Sequence, residues 1–189
     1  KKLKPHERPS TQETEAKDLS MEQLQMLYDT PFPDGKLWGY AFLFGCSSSL
    51  RISDIQALVW DRFNEDQTQM RVRQKKTKTF VYKPLTQMGQ KLIAIMWEKR
   101  DPNSTFVFHD LPKNYSGCYR RLKKWGEMAG VPFKEGQGFH VGRETGIVNV
   151  INEDGVYVAQ KFAGHLNFKT TEKYGRVKDE KLAAATNRV

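Results

Sequence analysis

Six side chains spread along this sequence have the chemistry needed to attack a phosphodiester without a metal ion. They are two arginines, a lysine, two histidines and a tyrosine: Arg51, Arg143, Lys76, His140, His165 and Tyr174. Arginine makes permanently charged, bidentate contacts to phosphate oxygens. Lysine and histidine can transfer protons, and tyrosine can become a covalent nucleophile. This combination predicts a site in which the tyrosine attacks the phosphorus.

The local contexts of these residues are more specific than their types. Arg51 lies in Leu50-Arg51-Ile52-Ser53-Asp54, His140 and Arg143 form a His-x-x-Arg pair, and Gly164-His165 precedes Tyr174 in a Gly-His-x8-Tyr pattern. A lone His-x-x-Arg is weak evidence for any function, and a lone tyrosine is usually a half-buried structural residue. Three boxes in this order are strong evidence that the residues act together.

In order and context these boxes resemble those of the tyrosine recombinase, or phage integrase, family. The resemblance runs from about Leu19 to the end of the chain. It implies that Tyr174 is the nucleophile and that Arg51 and Arg143 clamp the non-bridging phosphate oxygens. It further implies cleavage of double-stranded DNA through a 3′-phosphotyrosyl bond with release of a 5′ hydroxyl. Because that bond conserves energy, neither ATP nor a metal cofactor is implied.

The resemblance assigns supporting roles to two histidines and one aspartate. His140 would accept the tyrosine proton or bind the phosphate, and His165 would donate to a non-bridging oxygen. Asp54 would orient Arg51. The alternatives are a capping or core role for each histidine and an ordinary ion pair between Arg51 and Asp54.

The general acid that protonates the leaving 5′ oxygen is expected in a lysine-rich turn. Aligning Pro84-Leu85 with the proline that closes a hairpin in the family points to Lys76, with Lys78 as the alternative. Lys75 and Lys78 are otherwise expected to contact the DNA backbone. A second basic set, Arg120, Arg121, Lys123 and Lys124, is expected on the polar face of a helix and is predicted to bind DNA.

Three positions depart from the family pattern. Ser49 stands where glycine usually precedes Leu-Arg, Glu144 stands where histidine is common, and Ala163 stands where a larger apolar residue is usual. None of these changes removes a proposed catalytic group. Ser49 could shift the turn that aims Arg51.

The composition fits a single globular domain with a polyanionic partner. The chain has 189 residues and a net charge of +9. No apolar run approaches the ~20 residues that span a bilayer. Cys46 and Cys118 are isolated and lie in apolar helical patterns, which predicts buried free thiols in a reducing cytoplasm. The histidines lack the paired spacing of metal ligands, so no metal site is predicted.

Hydrophobic periodicity predicts an α+β domain that is mainly helical and carries one small antiparallel β-hairpin. Residues 1–18 are predicted to be a flexible polar lead and residues 19–189 the catalytic domain. A capping box at Ser20 and Gln23 begins the first helix. Further helices are predicted at Trp38–Cys46, Arg51–Leu58, around Met88–Met96, and at Tyr115–Ala129, Tyr157–Ala163, Thr170–Arg176 and Lys178–Thr186. The helix that carries Arg143 is predicted to continue up to Gly155. Strands are predicted around Met70–Val72 and Phe80–Tyr82.

These observations predict the catalytic domain of a phage or bacterial integrase, without the N-terminal core-binding domain that family members usually carry. The isolated domain is expected to be a monomer, and the full-length protein a tetramer on DNA. Two alternatives remain open. A type IB topoisomerase shares this chemistry but rejoins the same strand, and a DNA-binding module with a silent site would perform no chemistry.

Overall fold

The computed structural model of the protein describes residues 18–73, 78, 80–134 and 137–175. Most of the predicted polar lead and the predicted helix Lys178–Thr186 lie outside the described residues. The same is true of Lys75 and Lys76, so the predicted general acid stays a prediction.

The described residues form eight α-helices and one two-stranded antiparallel sheet, which confirms the predicted fold class. In chain order they are α1 (Met21–Asp29), α2 (Trp38–Ser48), α3 (Ile52–Ile55), β1 (Gln69–Arg73), β2 (Phe80–Pro84), α4 (Gln87–Glu98), α5 (Tyr115–Met128), α6 (Phe139–Asp154), α7 (Val156–Ala163) and α8 (Phe168–Glu172). Short 3₁₀ helices occur at Pro33–Gly35 and Trp60–Arg62.

Local sequence signals set several helix ends as predicted. Ser20 Oγ accepts from the Gln23 amide at 3.2 Å, and Gln23 Oε1 accepts from the Ser20 amide at 2.9 Å, so the capping box is confirmed. On α5 the buried stripe includes Leu122 and Trp125, and the basic residues cover the other face. Gly130 follows α5 in the left-handed region at φ 70°.

The core of the domain is built around α2, which is buried on nearly all sides and packs most extensively against α6. Two glycines on α6 allow the two backbones to approach closely. A Cβ at Gly142 would lie 3.2 Å from the Phe42 carbonyl oxygen, and one at Gly146 would lie 2.5 Å from the Cys46 carbonyl oxygen. This contact brings the middle of α6, and therefore Arg143, against the C-terminal end of α2.

The β-hairpin is confirmed, with Met70 opposite Lys83 and Val72 opposite Val81. Met70 and Val72 face the core. Lys83 faces it as well and is only 1% exposed, although lysine is rarely buried. The sequence patterns did not predict this burial.

The predicted helix Arg51–Leu58 is wrong in its extent, because α3 ends at Ile55. The residues after α3 pair with a distant segment instead. The Leu58 carbonyl accepts from the Val107 amide at 3.0 Å, and Val59 forms an antiparallel bridge with Phe106. This pairing requires extended backbone, so the helix cannot continue to Leu58.

The predicted helix Thr170–Arg176 is displaced along the chain. The Asn167 side chain accepts from the Lys169 amide at 3.0 Å, and this cap starts α8 at Phe168. The helix ends at Glu172, and the Tyr174 amide donates to the Thr171 carbonyl at 2.9 Å. Tyr174 therefore lies in the turn after α8 rather than within a helix.

Because α2 and α6 pack so closely, we expect one added methyl group on α6 to lower the stability of the domain. We expect Gly146→Ala to lower the free energy of unfolding by about 1–3 kcal/mol, because the new Cβ would collide with backbone that cannot move freely. Urea denaturation followed by circular dichroism measures this change. Gly89→Ala is the control, since its Cβ would meet neighbours no closer than 3.4 Å within α4. Equal stabilities of the two variants would contradict the close approach.

Candidate active site

Four of the predicted catalytic residues converge from four elements. Arg51 is the N-cap residue of α3, Arg143 lies in α6, His165 follows the cap of α7, and Tyr174 follows α8. Electrostatic interactions join Arg143 to Arg51 and Tyr174, and join His165 to Arg143 and Arg51. The fold thus gathers the predicted boxes into one cationic site.

Arg143 is the centre of this site and is only 2% exposed. Its Nη1 donates to the Ser49 carbonyl. Its Nη2 donates to the Ala163 carbonyl at 3.0 Å and lies 2.7 Å from His165 Nε2. A single guanidinium therefore holds together the turn after α2, the turn after α7 and the histidine.

Both turns bound by Arg143 contain a residue in the left-handed conformation. Ser49 caps α2 at φ 55° and ψ 22°, and Gly164 caps α7 at φ 63° and ψ 40°. Ser49 therefore adopts the backbone that glycine favours, at a cost of roughly 1–2 kcal/mol. Ser49 departs from the family pattern, but the turn here is still left-handed. Arg51 comes two residues later as the N-cap of α3.

Arg143 keeps its charge at neutral pH despite its burial. Burial is the main cause that lowers the pKa of its guanidinium to about 10, and the neighbouring charge of Arg51 contributes in the same direction. Tyr174 and Asp54 oppose this shift. Asp54 is buried as well, so the cationic site includes one carboxylate that partly balances it.

His165 is held in one tautomer by its two neighbours. A guanidinium has no acceptor, so the contact with Arg143 makes His165 Nε2 the acceptor. The proton then lies on Nδ1, which donates to the buried Thr171 Oγ1 at 2.8 Å. The predicted donation from His165 to a phosphate oxygen requires a different arrangement of these hydrogen bonds.

The same surroundings keep the His165 ring neutral. Burial is the main cause that lowers its pKa to about 4, and the charges of Arg143, Arg51, Lys83 and Lys173 add to the effect. A neutral imidazole places no further positive charge beside Arg143.

Tyr174 is half-buried beside His165. The two rings are stacked, with centroids 6.4 Å apart and an angle of 20° between their planes. Burial raises the pKa of the Tyr174 phenol, and the charge of Glu144 raises it too, while Arg143 and Arg51 oppose the shift. The phenol is therefore protonated in the DNA-free protein.

His140 lies in a different environment from the other predicted residues. Its side chain is 67% exposed at the start of α6, and its Nε2 is 3.4 Å from Glu144 Oε1. Glu144 affects two of the predicted catalytic residues, because it contacts His140 and also raises the pKa of Tyr174. The role predicted for His140 stays a prediction.

The predicted DNA-contacting residues that the structure describes lie next to the hairpin and on α5. Lys78 is exposed at φ 58° next to the hairpin. On α5, Arg120, Lys123 and Lys124 are exposed, and Arg121 forms an ion pair with Asp34 at 3.0 Å. The charges that shift the pKa values of Arg143, His165 and Tyr174 do not come from these residues.

Lys83 is the residue of this region that the sequence analysis missed. Its Nζ donates to the Ser48 carbonyl at 2.5 Å and to the Phe162 carbonyl. Burial lowers the pKa of its amine well below the ordinary range of lysine, and Arg143 adds to this shift. A signal was present in the sequence. Lys83 alternates with Leu85 and faces Met70 across the hairpin, so it occupies an inward position of the sheet.

Other possible binding features lie apart from this site or are not found in the described residues. A cavity of about 480 Å³ between α1, α2, α4 and α6 contains none of the predicted catalytic residues. Within residues 18–73, 78, 80–134 and 137–175, no three His, Cys, Asp or Glu side chains are placed to hold a metal ion. No helix in that part of the chain has the length and apolar character needed to cross a membrane. Cys46 and Cys118 are both buried free thiols, as predicted.

A sequence model of the phage integrase family matches residues 17–181 of this chain. The chain belongs to this family. The match covers all three boxes and the hairpin, so the resemblance first seen in a few motifs extends over the whole described domain. The comparison with curated protein sequences gives no match.

Solved structures of this family have the same fold. XerA recombinase aligns with a TM-score of 0.70 at 17% identity, over 90% of this chain and 64% of the XerA chain. The Tn1549 transposon integrase in complex with circular intermediate DNA aligns at 0.67 and 16%, over 93% and 67%. A lambda integrase dimer bound to a COC′ core site aligns at 0.67 and 16%, over 86% and 49%. The present chain thus spans about half to two thirds of these proteins, and at such identities the likeness establishes the fold.

The hydrogen bonds of His165 give a prediction about pH. We expect the folded ring to titrate near pH 4 with its proton on Nδ1, against about 6.5 in an unfolded chain. The unfolded state then binds the proton more readily. The contribution of His165 to stability should be complete above about pH 6.5 and decline as the pH falls through about 4.

Nuclear magnetic resonance of the histidine ring nitrogens, assigned with the His165→Gln variant, measures both the tautomer and the midpoint. A ring with its proton on Nε2, or a midpoint close to that of a free histidine, would contradict the arrangement around Arg143.

Proposed function

We propose that this integrase-family domain cleaves and rejoins double-stranded DNA through a covalent 3′-phosphotyrosyl bond, as part of a site-specific recombinase. The observation that carries the proposal is the position of Tyr174 beside the buried Arg143, the partly buried Arg51 and a neutral histidine. Two fixed guanidinium groups are suited to the negative charge of a phosphodiester and to the added charge of its transition state.

In the proposed first step, Tyr174 Oη attacks the phosphorus and the bond from phosphorus to the 5′ oxygen breaks. The phenol proton passes to a base, for which His140 is the candidate, and the leaving oxygen receives a proton from a general acid, for which Lys76 is the candidate. The products are a 3′-phosphotyrosyl bond and a free 5′ hydroxyl. Attack by the 5′ hydroxyl of a partner strand reverses the step and completes the exchange.

Arg143 can serve this reaction while it holds the site together. A guanidinium has five N–H donors. Its contacts with Ser49, Ala163 and His165 use one donor on Nη1 and both on Nη2. The Nε–H and the second Nη1–H are the donors we assign to the phosphate. Arg51, oriented by Asp54, would bind the other non-bridging oxygen.

The raised pKa of Tyr174 suits an enzyme that should react only with bound DNA. A protonated phenol is a weak nucleophile. Attack therefore depends on transfer of its proton when a phosphate is held in place, and the free protein stays inert.

Charge and the solved relatives support DNA as the partner. The chain carries a net charge of +9, and Lys75, Lys78 and the basic face of α5 are the proposed backbone contacts. The relatives crystallised with DNA include the Tn1549 integrase and XerH bound to difH substrate. We propose that the full-length protein acts on cytoplasmic DNA as a tetramer, in the service of a phage or another mobile element.

The proposal predicts that one phenol oxygen determines covalent attachment. A nicked DNA substrate, from which the freed 5′ segment diffuses away, should trap the wild-type protein in a denaturation-resistant adduct. Tyr174→Phe should form none and keep its affinity for DNA, because only the nucleophilic oxygen is lost. Gel electrophoresis of the denatured mixture measures the adduct, and EDTA should not reduce it.

Tyr157→Phe is the matched control, because Tyr157 is a neighbouring tyrosine that is 73% exposed and lies in α7. This variant should form the adduct at the wild-type rate. An adduct with Tyr174→Phe would show that the nucleophile is another residue. Binding of specific DNA by the wild-type chain without any adduct would favour a silent DNA-binding module.

A further inference from the structure

Lys83 combines burial, charge and contact with the backbone of the active site. It lies on the inward face of β2, opposite Met70, and is 1% exposed. Among residues buried to this degree, lysine is rare, since the removal of an ammonium group from water costs several kcal/mol. A core position at this point of the hairpin would ordinarily be apolar.

The amine of Lys83 bridges the C-terminal ends of two helices. Its Nζ donates to the carbonyl of Ser48, the last residue of α2, at 2.5 Å, and also to the carbonyl of Phe162 in the last turn of α7. The Nζ also lies 3.7 Å from the centroid of the Phe162 ring.

Arg143 bridges the ends of the same two helices, and at each end it binds the carbonyl one residue further along the sequence. It binds the carbonyls of Ser49 and Ala163, which directly follow those bound by Lys83. Two buried basic side chains from different elements, β2 and α6, thus connect two consecutive carbonyls of one turn with two consecutive carbonyls of the other.

This double bridge has a clear physical basis. The last four carbonyls of a helix lack partners within the helix, and the helix end carries partial negative charge. Lys83 and Arg143 supply the missing donors. Burial lowers the pKa of the Lys83 amine well below its ordinary range, the charge of Arg143 lowers it further, and Asp54 opposes the shift.

We propose that Lys83 is a positioning residue for strand cleavage, which fixes the turn that carries His165 against the turn that leads to Arg51. The inference rests on the proposed function of the site. Lys83 acts through the backbone, because its amine is enclosed by protein and occupied by the two carbonyls.

A purely structural role accounts less well for these contacts. An apolar residue of similar length would fill the same space, and replacing a buried charge by such a residue is often neutral or stabilising. The contacts made by the lysine go to the backbone next to both catalytic turns. The charged groups that act on Lys83 are Arg143 from α6 and Asp54 from α3, and Lys83 in turn acts on His165 after α7.

The test compares Lys83→Met, which keeps length and packing, with Lys83→Gln, which keeps N–H donors. Lys91→Met is the control, since Lys91 is an exposed lysine on α4. We expect Lys83→Met to fold and to bind DNA like the wild type, but to form the covalent adduct about 10–100-fold more slowly, as expected for small misplacements of catalytic groups. Lys83→Gln should recover part of the rate, and the control should match the wild type.

A second measurement does not depend on catalysis. In Lys83→Met the end of α7 loses its hydrogen bond from β2, so the following turn should hold the His165 ring less firmly between Arg143 and Thr171, and its pKa should rise from about 4. The ring nitrogen signals should also change as the turn shifts. This readout decides the inference even if the wild-type chain forms no adduct, a result that would count against the proposed function alone.

Three results would overturn the positioning role. The first is a Lys83→Met variant that cleaves like the wild type. The second is an unchanged His165 titration in that variant. The third is loss of folding in both Lys83→Met and Lys83→Gln, which would assign the lysine to the stability of the core.

Discussion

The candidate active site of this domain depends on the buried guanidinium of Arg143. It donates to carbonyls at the C-terminal ends of two helices, α2 and α7, that are far apart in the sequence. It also fixes the tautomer of His165. The close packing of α6 on α2 through Gly142 and Gly146 places it there. A residue that binds phosphate in the proposed reaction is therefore also the residue that aligns the turns beside it, so substrate binding and site geometry are coupled.

In the DNA-free protein, the ionisable groups around Arg143 shift one another's pKa values. Three basic side chains, Arg51, Lys83 and Arg143, lie close enough to shift the pKa values of one another or of His165, and Asp54 opposes the shifts of Lys83 and Arg143. The histidine and the tyrosine both stay neutral at neutral pH. Two guanidinium groups beside a protonated tyrosine are suited to an anion that brings its own negative charge, as a DNA phosphate does.

Sequence patterns predicted the features that depend on neighbouring residues. They did not predict the features that depend on contacts between segments far apart in the sequence. The capping box at Ser20 depends on neighbouring residues, and the match of the three boxes to the family needed no structure. The end of α3 depends on pairing with the strand-like segment at Phe106, which no local pattern contains. The burial of Lys83 depends on carbonyls of α2 and α7, and the tautomer of His165 depends on Arg143 and Thr171. The alternation of Lys83 with Leu85 indicates its face of the strand, but these hydrogen-bond partners come together only when the chain is folded.

Amide hydrogen exchange in an Arg143→Lys variant tests the central claim most directly, since lysine keeps the charge but lacks the planar fork that reaches both turns. The two reporters are the Ser49 amide, bonded to the Gly45 carbonyl at 2.9 Å, and the His165 amide, bonded to the Gln160 carbonyl at 3.0 Å. Both should exchange about tenfold or more faster, equivalent to the loss of one charged hydrogen bond, while the amide of Leu92 in α4 should keep its protection. Unchanged exchange at both turns, or a change at only one, would contradict the account.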